Sequence, residues 1–95
     1  MRTVILADDH PLLRRGLRFE IEENESYEVV AEASDGQEAV ELITQTQPDL
    51  AIVDLSMPKL HGLEVVKALQ RQNVPTRIII LTMHKEEGYF NEALD

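Results

Sequence analysis

Apolar residues are spaced along the chain in two alternating rhythms. Residues 3–7, 27–33, 50–53 and 77–82 are short runs rich in branched aliphatics and predict strands. The first, third and fourth are almost continuously apolar, the pattern of strands covered on both faces of a parallel sheet. The second, YEVVAEA, mixes Glu28 and Glu32 among its apolar positions, which places it at an edge, where charge discourages stray pairing. Between these runs the period lengthens. Over residues 11–23, Leu13, Leu17 and Ile21 recur every four residues behind Pro11, the layout of an amphipathic helix with proline in its first turn. Over 34–45, Asp35 is placed to cap, Glu38 follows three residues later as in a capping box, and Ala39, Leu42 and Ile43 form the apolar stripe. A third helix is expected over 62–72 through Val65, Val66 and Leu69, and a fourth over 85–94 with Phe90, Ala93 and Leu94 as its buried face.

The resulting order is βαβαβαβα, one domain over residues 1–95 without repeat or linker. Strict alternation with short loops predicts right-handed crossovers and a doubly wound parallel α/β sheet. The most economical layout is flavodoxin-like with strand order 2-1-3-4. Ligands of such sheets bind beyond the carboxyl ends of the strands, where the strand order reverses.

Those ends carry chemistry. The first strand runs into Asp8 and Asp9, the third into Asp54, and the fourth into Thr82, Met83 and His84. With the first, third and fourth strands adjacent, three carboxylates and a hydroxyl converge within one or two strand spacings of about 4.8 Å. Such a cluster repels itself and recruits a counter-ion, and hard oxygen ligands suit Mg²⁺. One carboxylate can then act as a nucleophile towards a phosphoryl group, and Asp54, alone at its strand tip, is the candidate, with the Thr82 hydroxyl bonding a phosphoryl oxygen. A single aspartate after a strand is commonly a turn former or cap; acids at two strand ends with a hydroxyl at a third are much harder to obtain by chance. Asp49 lies before its strand, at the opposite edge of the sheet, and is read as a turn residue. His10, His61 and His84 lack a ligand spacing and are read as loop or surface residues.

Composition narrows the rest. The net charge is −9, from 18 acidic against 9 basic residues, which argues against nucleic acid as a partner of this segment. Arg14, Arg15 and Arg18 in RRGLR are expected to be a solvated helix face rather than a docking patch. Cysteine is absent, which excludes disulfides, thiol nucleophiles and cysteine-bound zinc. No apolar stretch approaches the roughly 18 residues of a membrane span, and the N-terminus lacks the layout of a signal peptide, so a cytoplasmic location is expected. Nucleotide, dinucleotide and hydrolase-elbow motifs are missing, and a flavin carrier would rest on topology alone.

The stretches ILADDHPLLRRGL, DLAIVDLSMPKLHGLEVV and IIILTMH, in this order, resemble the receiver domain of two-component response regulators, in the subfamily with a LuxR-type helix-turn-helix output. The resemblance implies that a sensor histidine kinase phosphorylates Asp54, that Asp8 and Asp9 position Mg²⁺ with the Ser56 backbone carbonyl completing its shell, and that Thr82 is the switch hydroxyl. Met57, Pro58 and Gly62 match the loop after the phosphoacceptor, and Ser56 and His84 stand where the family tunes the lifetime of the phosphoryl group. It further implies a phosphoprotein that accelerates its own phosphorylation and dephosphorylation without being a conventional enzyme. Transcription would be controlled through a DNA-binding output domain outside this segment.

Family members continue into a fifth strand with a phosphoryl-binding lysine and a fifth helix, whereas this chain stops at Asp95, and neither Lys59 nor Lys85 matches that lysine. Without that unit, residues 77–82 are expected to be an open apolar edge, and self-association or an exchanged segment follows. The sheet face beside the first helix is likewise expected to be uncovered. A second function from another class is therefore a phosphorylation-independent interaction or dimerisation module, separated from the first by whether Asp54 can be phosphorylated.

Overall fold

The computed structural model describes the backbone of residues 1–83 and 88–93, and the side chains of residues 1–81. The described elements are β1 (Arg2–Ala7), α1 (Pro11–Glu22), β2 (Tyr27–Ala33), α2 (Gly36–Thr46), β3 (Leu50–Asp54), α3 (Gly62–Arg71), β4 (Arg77–Met83) and β5 (Gly88–Ala93). β2, β1, β3 and β4 pair in parallel in that order, the doubly wound arrangement read from the alternating periods, and β2 is at the edge as its glutamates required.

β5 is the departure. Residues 88–93 pair antiparallel with β4, from Ile78 opposite Ala93 to Met83 opposite Gly88, where a fourth helix was expected. An edge strand offers a row of free N–H and C=O groups, and Tyr89 and Phe90 are residue types that suit a strand. The main-chain ladder outweighs a weak helical period. The β4 edge, expected to be open, is thus covered by the chain itself. The expected helix side chains Phe90, Ala93 and Leu94 lie outside the described side chains.

The apolar strand residues alternate between two faces. Ile5, Ala7, Ala51, Val53, Ile78 and Ile80 pack against Ala39 and Ile43 of α2 and Val65, Val66 and Leu69 of α3 in one core. Val4, Leu6, Val29, Ile52 and Leu81 face the other way, against Leu13, Leu17 and Ile21 of α1. Helix α1 holds no fully buried residue, and Leu50 and Ile79 on its face of the sheet stay half-buried, in line with the expected exposure beside this helix. Among the described residues no helix is long and apolar enough to cross a membrane.

The β1–β2 register skips Val30, so that Val4 faces Val29 but Ile5 faces Ala31 and Leu6 faces Glu32. A β-bulge reverses which side of the sheet the following residues take. Glu32 is thereby brought to the α1 side, opposite Leu6.

Helix α2 is capped by Asp35, whose side chain accepts from the Glu38 N–H at 2.8 Å, as its sequence predicted. Glu38 reaches one residue further back than in a capping box, to the Ser34 N–H at 2.8 Å. This helix end sits hard against the loop after β3. The Gly36 N–H donates to the Pro58 carbonyl at 3.2 Å, and a Cβ at Gly36 would lie 2.1 Å from the Leu60 carbonyl oxygen. Gly36→Ala is therefore expected to push the loop off α2 and cost about 1–3 kcal/mol. Thermal unfolding should show a fall of roughly 5–15 °C in Tm, against no comparable change for Gly16→Ala, where a Cβ meets nothing within 4 Å.

Candidate functional site

β1 and β3 are neighbours with Ala7 opposite Val53, so the next residues, Asp8 and Asp54, stand side by side at their carboxyl ends. The Asp8 N–H donates to the Ala33 carbonyl at 3.0 Å, carrying the main-chain ladder one residue past the strand. Asp8 and Asp54 are each only 2% exposed. Asp9, the next residue along, is partly exposed.

The acids satisfy only some of their oxygens. Asp8 Oδ1 accepts the His10 N–H at 2.8 Å, a turn that leads the chain into Pro11 and α1. Asp54 Oδ1 accepts the Ser56 N–H at 3.4 Å. Asp8 Oδ2, Asp9 Oδ1 and Asp54 Oδ2 are buried without any hydrogen-bond partner. Orphaned carboxylate oxygens are costly, because their desolvation is uncompensated. Accordingly Asp54 is pushed above the usual carboxylate range, first by burial and then by the Asp8 charge; the Ser56 amide and His10 pull the other way without prevailing. This donor set fits a hard divalent cation, since three carboxylates aim unpaired oxygens into one spot.

His10 belongs to the same group. Its Nδ1 lies 2.8 Å from Asp8 Oδ1, 3.2 Å from Asp9 Oδ1 and 3.7 Å from Asp54 Oδ2. The hydrogen bond to Asp8, then the charge of Asp9, raise its pKa above the ordinary histidine value. One ligand atom from each of Asp8, Asp9, His10 and Asp54 falls within 4.8 Å of the others. The sequence alone marks His10 as a loop or surface residue, since it has no histidine partner at ligand spacing. The signal was its place in DDHP, directly after two acids and before the proline that opens a helix.

The loop from Asp54 to α3 is shaped by close backbone approaches. The Leu55 N–H donates to the Leu81 carbonyl at 3.0 Å and the Gly62 N–H to the Leu55 carbonyl at 2.8 Å. A Cβ on Gly62 would come within 2.8 Å of the Asp54 carbonyl oxygen, so only glycine allows the loop to close this tightly. His61, read as a surface residue, caps α3: its Nδ1 accepts from the Leu63 N–H at 3.4 Å while its own N–H donates to Glu64 Oε1 at 3.0 Å. Lys59 lies 3.6 Å from Asp35 Oδ2.

Behind Asp8 stands a network that the sequence concealed. Arg14 Nη1 donates to the Asp8 carbonyl at 2.7 Å and Arg14 Nε to Glu32 Oε1 at 2.7 Å. Arg18 Nη1 grips Glu32 Oε2 at 2.5 Å, and Arg18 Nε reaches Glu22 at 3.4 Å. Partial burial presses the Glu32 pKa upward, yet the hydrogen bonds from Arg18 and Arg14 outweigh it and hold the carboxyl below its usual range. RRGLR is thus not simply a solvated face: Arg14 and Arg18 fix the start of α1 to β2, and Arg15 alone of the three carries no such tie to the sheet among the described contacts.

Of the residues singled out, Asp8, Asp9 and Asp54 are brought together. Ser56 is adjacent through its amide. Thr82 lies in β4 one residue past Leu81, the register partner of Asp54; its side chain, and His84 and Lys85 altogether, fall outside the described residues. Asp49 is at the opposite edge, where its Oδ2 accepts the Thr3 N–H at 2.8 Å and ties β1 to the start of β3.

Comparison with known proteins assigns this arrangement, parallel strands with buried acids at the ends of the adjacent β1 and β3, to one family. The family described as response regulator receiver domain matches residues 4–95, and the chain belongs to that family. It is 46% identical over 92 residues to a nitrate/nitrite response regulator protein homolog of Haemophilus influenzae, covering 97% of this chain and 44% of that protein. It is 45% identical over 80 residues to the nitrate/nitrite response regulator NarP of Escherichia coli, covering 84% of this chain and 37% of that one. The chain therefore spans less than half the length of these relatives. Among solved structures, the receiver domain of the NarL response regulator of Mycobacterium tuberculosis superposes with a TM-score of 0.85 at 38% identity, covering 88% of this chain and 68% of that one. RcsB of Salmonella enterica, solved bound to a promoter in the presence of a phosphomimetic beryllium fluoride, gives 0.80 at 33%, covering 90% and 72%.

The raised Asp54 pKa has a stability consequence. A carboxyl that binds its proton more tightly when folded costs no stability below the ordinary carboxylate range, and its full cost appears once the pH exceeds the raised folded value. Asp54→Asn is expected to raise Tm by several degrees at neutral pH, and the gain should shrink steadily as the pH is lowered. Thermal unfolding across pH, in the presence of a chelator, measures both.

Proposed function

We propose that this chain is a phosphoacceptor whose Asp54 receives a phosphoryl group from the phosphohistidine of a sensor histidine kinase. The observation that carries this is the buried, unpartnered Asp54 Oδ2 beside the unpartnered oxygens of Asp8 and Asp9, at the strand ends where such sheets bind ligands. Asp54 Oδ2 attacks phosphorus as the bond from phosphorus to the donor imidazole breaks, and the leaving imidazole takes up a proton. Asp8, Asp9 and Asp54 would hold Mg²⁺ together with the Ser56 carbonyl, and the ion would supply positive charge to offset that developing on the phosphoryl oxygens. Thr82 is assigned the hydroxyl that binds one of those oxygens and relays the modified state along β4. The chain acts on itself alone, speeding gain and loss of its own phosphoryl group. Control of transcription would be exerted through a DNA-binding region beyond this segment, as the response-regulator names of its relatives and the promoter-bound RcsB structure support.

Incubation with acetyl phosphate and Mg²⁺ should add one phosphoryl group by intact-mass spectrometry, and both Asp54→Asn and removal of the ion by chelation should abolish it. A wild-type chain that stays unmodified would overturn the phosphoacceptor assignment and favour the alternative, a module that binds its kinase or a like domain without phosphorylation.

A further inference from the structure

Asp9 is the one acid of the cluster with room to leave it. Asp8 and Asp54 are buried and tied into the strand ladder, whereas the Asp9 side chain is 32% exposed and beyond the end of β1. Repulsion from two neighbouring carboxylates would swing it out into water. We infer that Arg14 is the positioning residue that prevents this: it holds the main-chain carbonyls on both sides of Asp9, and Glu32 of β2 holds Arg14. The inference rests on the phosphoacceptor reading above and adds to it a residue that acts through the backbone without touching the reacting atoms.

The bonds fall on consecutive peptide units. Arg14 Nη1 donates to the Asp8 carbonyl at 2.7 Å, and the Arg14 main-chain N–H donates to the His10 carbonyl at 2.9 Å. Between them the His10 N–H donates to Asp8 Oδ1 at 2.8 Å. Each of the three peptide units from Asp8 to Pro11 thus carries one hydrogen bond, two of them made by Arg14, and the backbone dihedrals that aim Asp9 are fixed. Arg14 is held in turn. Its Nε donates to Glu32 Oε1 at 2.7 Å, while Arg18 Nη1 grips the other oxygen of the same carboxylate. The bulge at Val30 is what brings Glu32 to this side of the sheet.

A staple that merely joins α1 to β2 would need only the ion pair with Glu32, and Arg18 already supplies one; none of the described bonds of the Arg18 side chain reaches residues 8–10. The bond to the Asp8 carbonyl is what sets Arg14 apart. A planar guanidinium serves a carboxylate and a carbonyl together, which a single ammonium on a flexible stem does not. Arg14→Lys therefore keeps the charge beside Glu32 and gives up the directed hold on Asp8.

The test is calorimetric titration with Mg²⁺ of the wild-type chain, Arg14→Lys, Arg14→Gln and the control Arg18→Lys, paired with the rate of phosphorylation by acetyl phosphate as Mg²⁺ is varied, folding being checked by thermal unfolding. Both Arg14 variants should bind Mg²⁺ at least about tenfold more weakly and need a correspondingly higher Mg²⁺ concentration for half-maximal rate, while the rate at saturating Mg²⁺ holds. Arg18→Lys should match the wild type in both measurements. A fall in Tm with Mg²⁺ affinity unchanged in the Arg14 variants, or equal losses of affinity in the Arg14 and Arg18 variants, marks a structural staple and overturns the positioning role while leaving the phosphoacceptor reading standing. If the wild-type chain binds no Mg²⁺ and gains no phosphoryl group, that reading falls, and this role with it.

Discussion

Everything at the functional end of this molecule follows from the mutual repulsion of carboxylates that the main chain will not let apart. Parallel pairing of β1 and β3 sets Asp8 beside Asp54, and the ladder continues past the strand ends, so neither acid can relax away from the other. Burial then removes the water that would screen them. The surroundings are arranged around this stress. Two apolar layers hold the strands, glycines at positions 36 and 62 let the β3–α3 loop close tightly, and the start of α1 is anchored by Arg14, which acts on the Asp8 carbonyl rather than on its charged oxygens. A site built this way is poised for a cation, because the fold has already met the cost of assembling the ligands.

Much of this was legible from residue order. Unbroken aliphatic runs mark doubly covered strands, the four-residue spacing of Leu13, Leu17 and Ile21 marks α1, and Asp35 marks the start of α2. The place of Asp8, Asp9 and Asp54 at strand ends then needed only the topology to bring them together. What could not be read were features that depend on a partner in space. His10 is unremarkable until the turn made by Asp8 folds it back among the acids. The helical spacing of residues 85–94 competes with an open β4 edge, and main-chain pairing prevails over residues 88–93. Glu38 serves Ser34 in place of the cap residue, a shift of one position that propensity does not resolve.

Family membership sharpens the distinction between what the chain holds and what its relatives hold. The segment matched to receiver domains accounts for nearly all of this sequence, yet for less than half of the two nitrate/nitrite response regulators it was compared with. Its acidic balance, −9 overall, gives a surface that favours cations over polyanions.

The skipped residue in β2 sets a rule of parity. Val30 stands outside the pairing count, and because of it the chain arrives at Glu32 on the side where two guanidinium groups await. Paired without that skip, the same glutamate would turn towards the small alanines and packed aliphatics beneath α2, and the arginines would face the Ala31 methyl group. The bulge thus absorbs a single extra residue: a strand lacking Val30 would still set Ala31 opposite Ile5 and Glu32 opposite Leu6, in plain alternation.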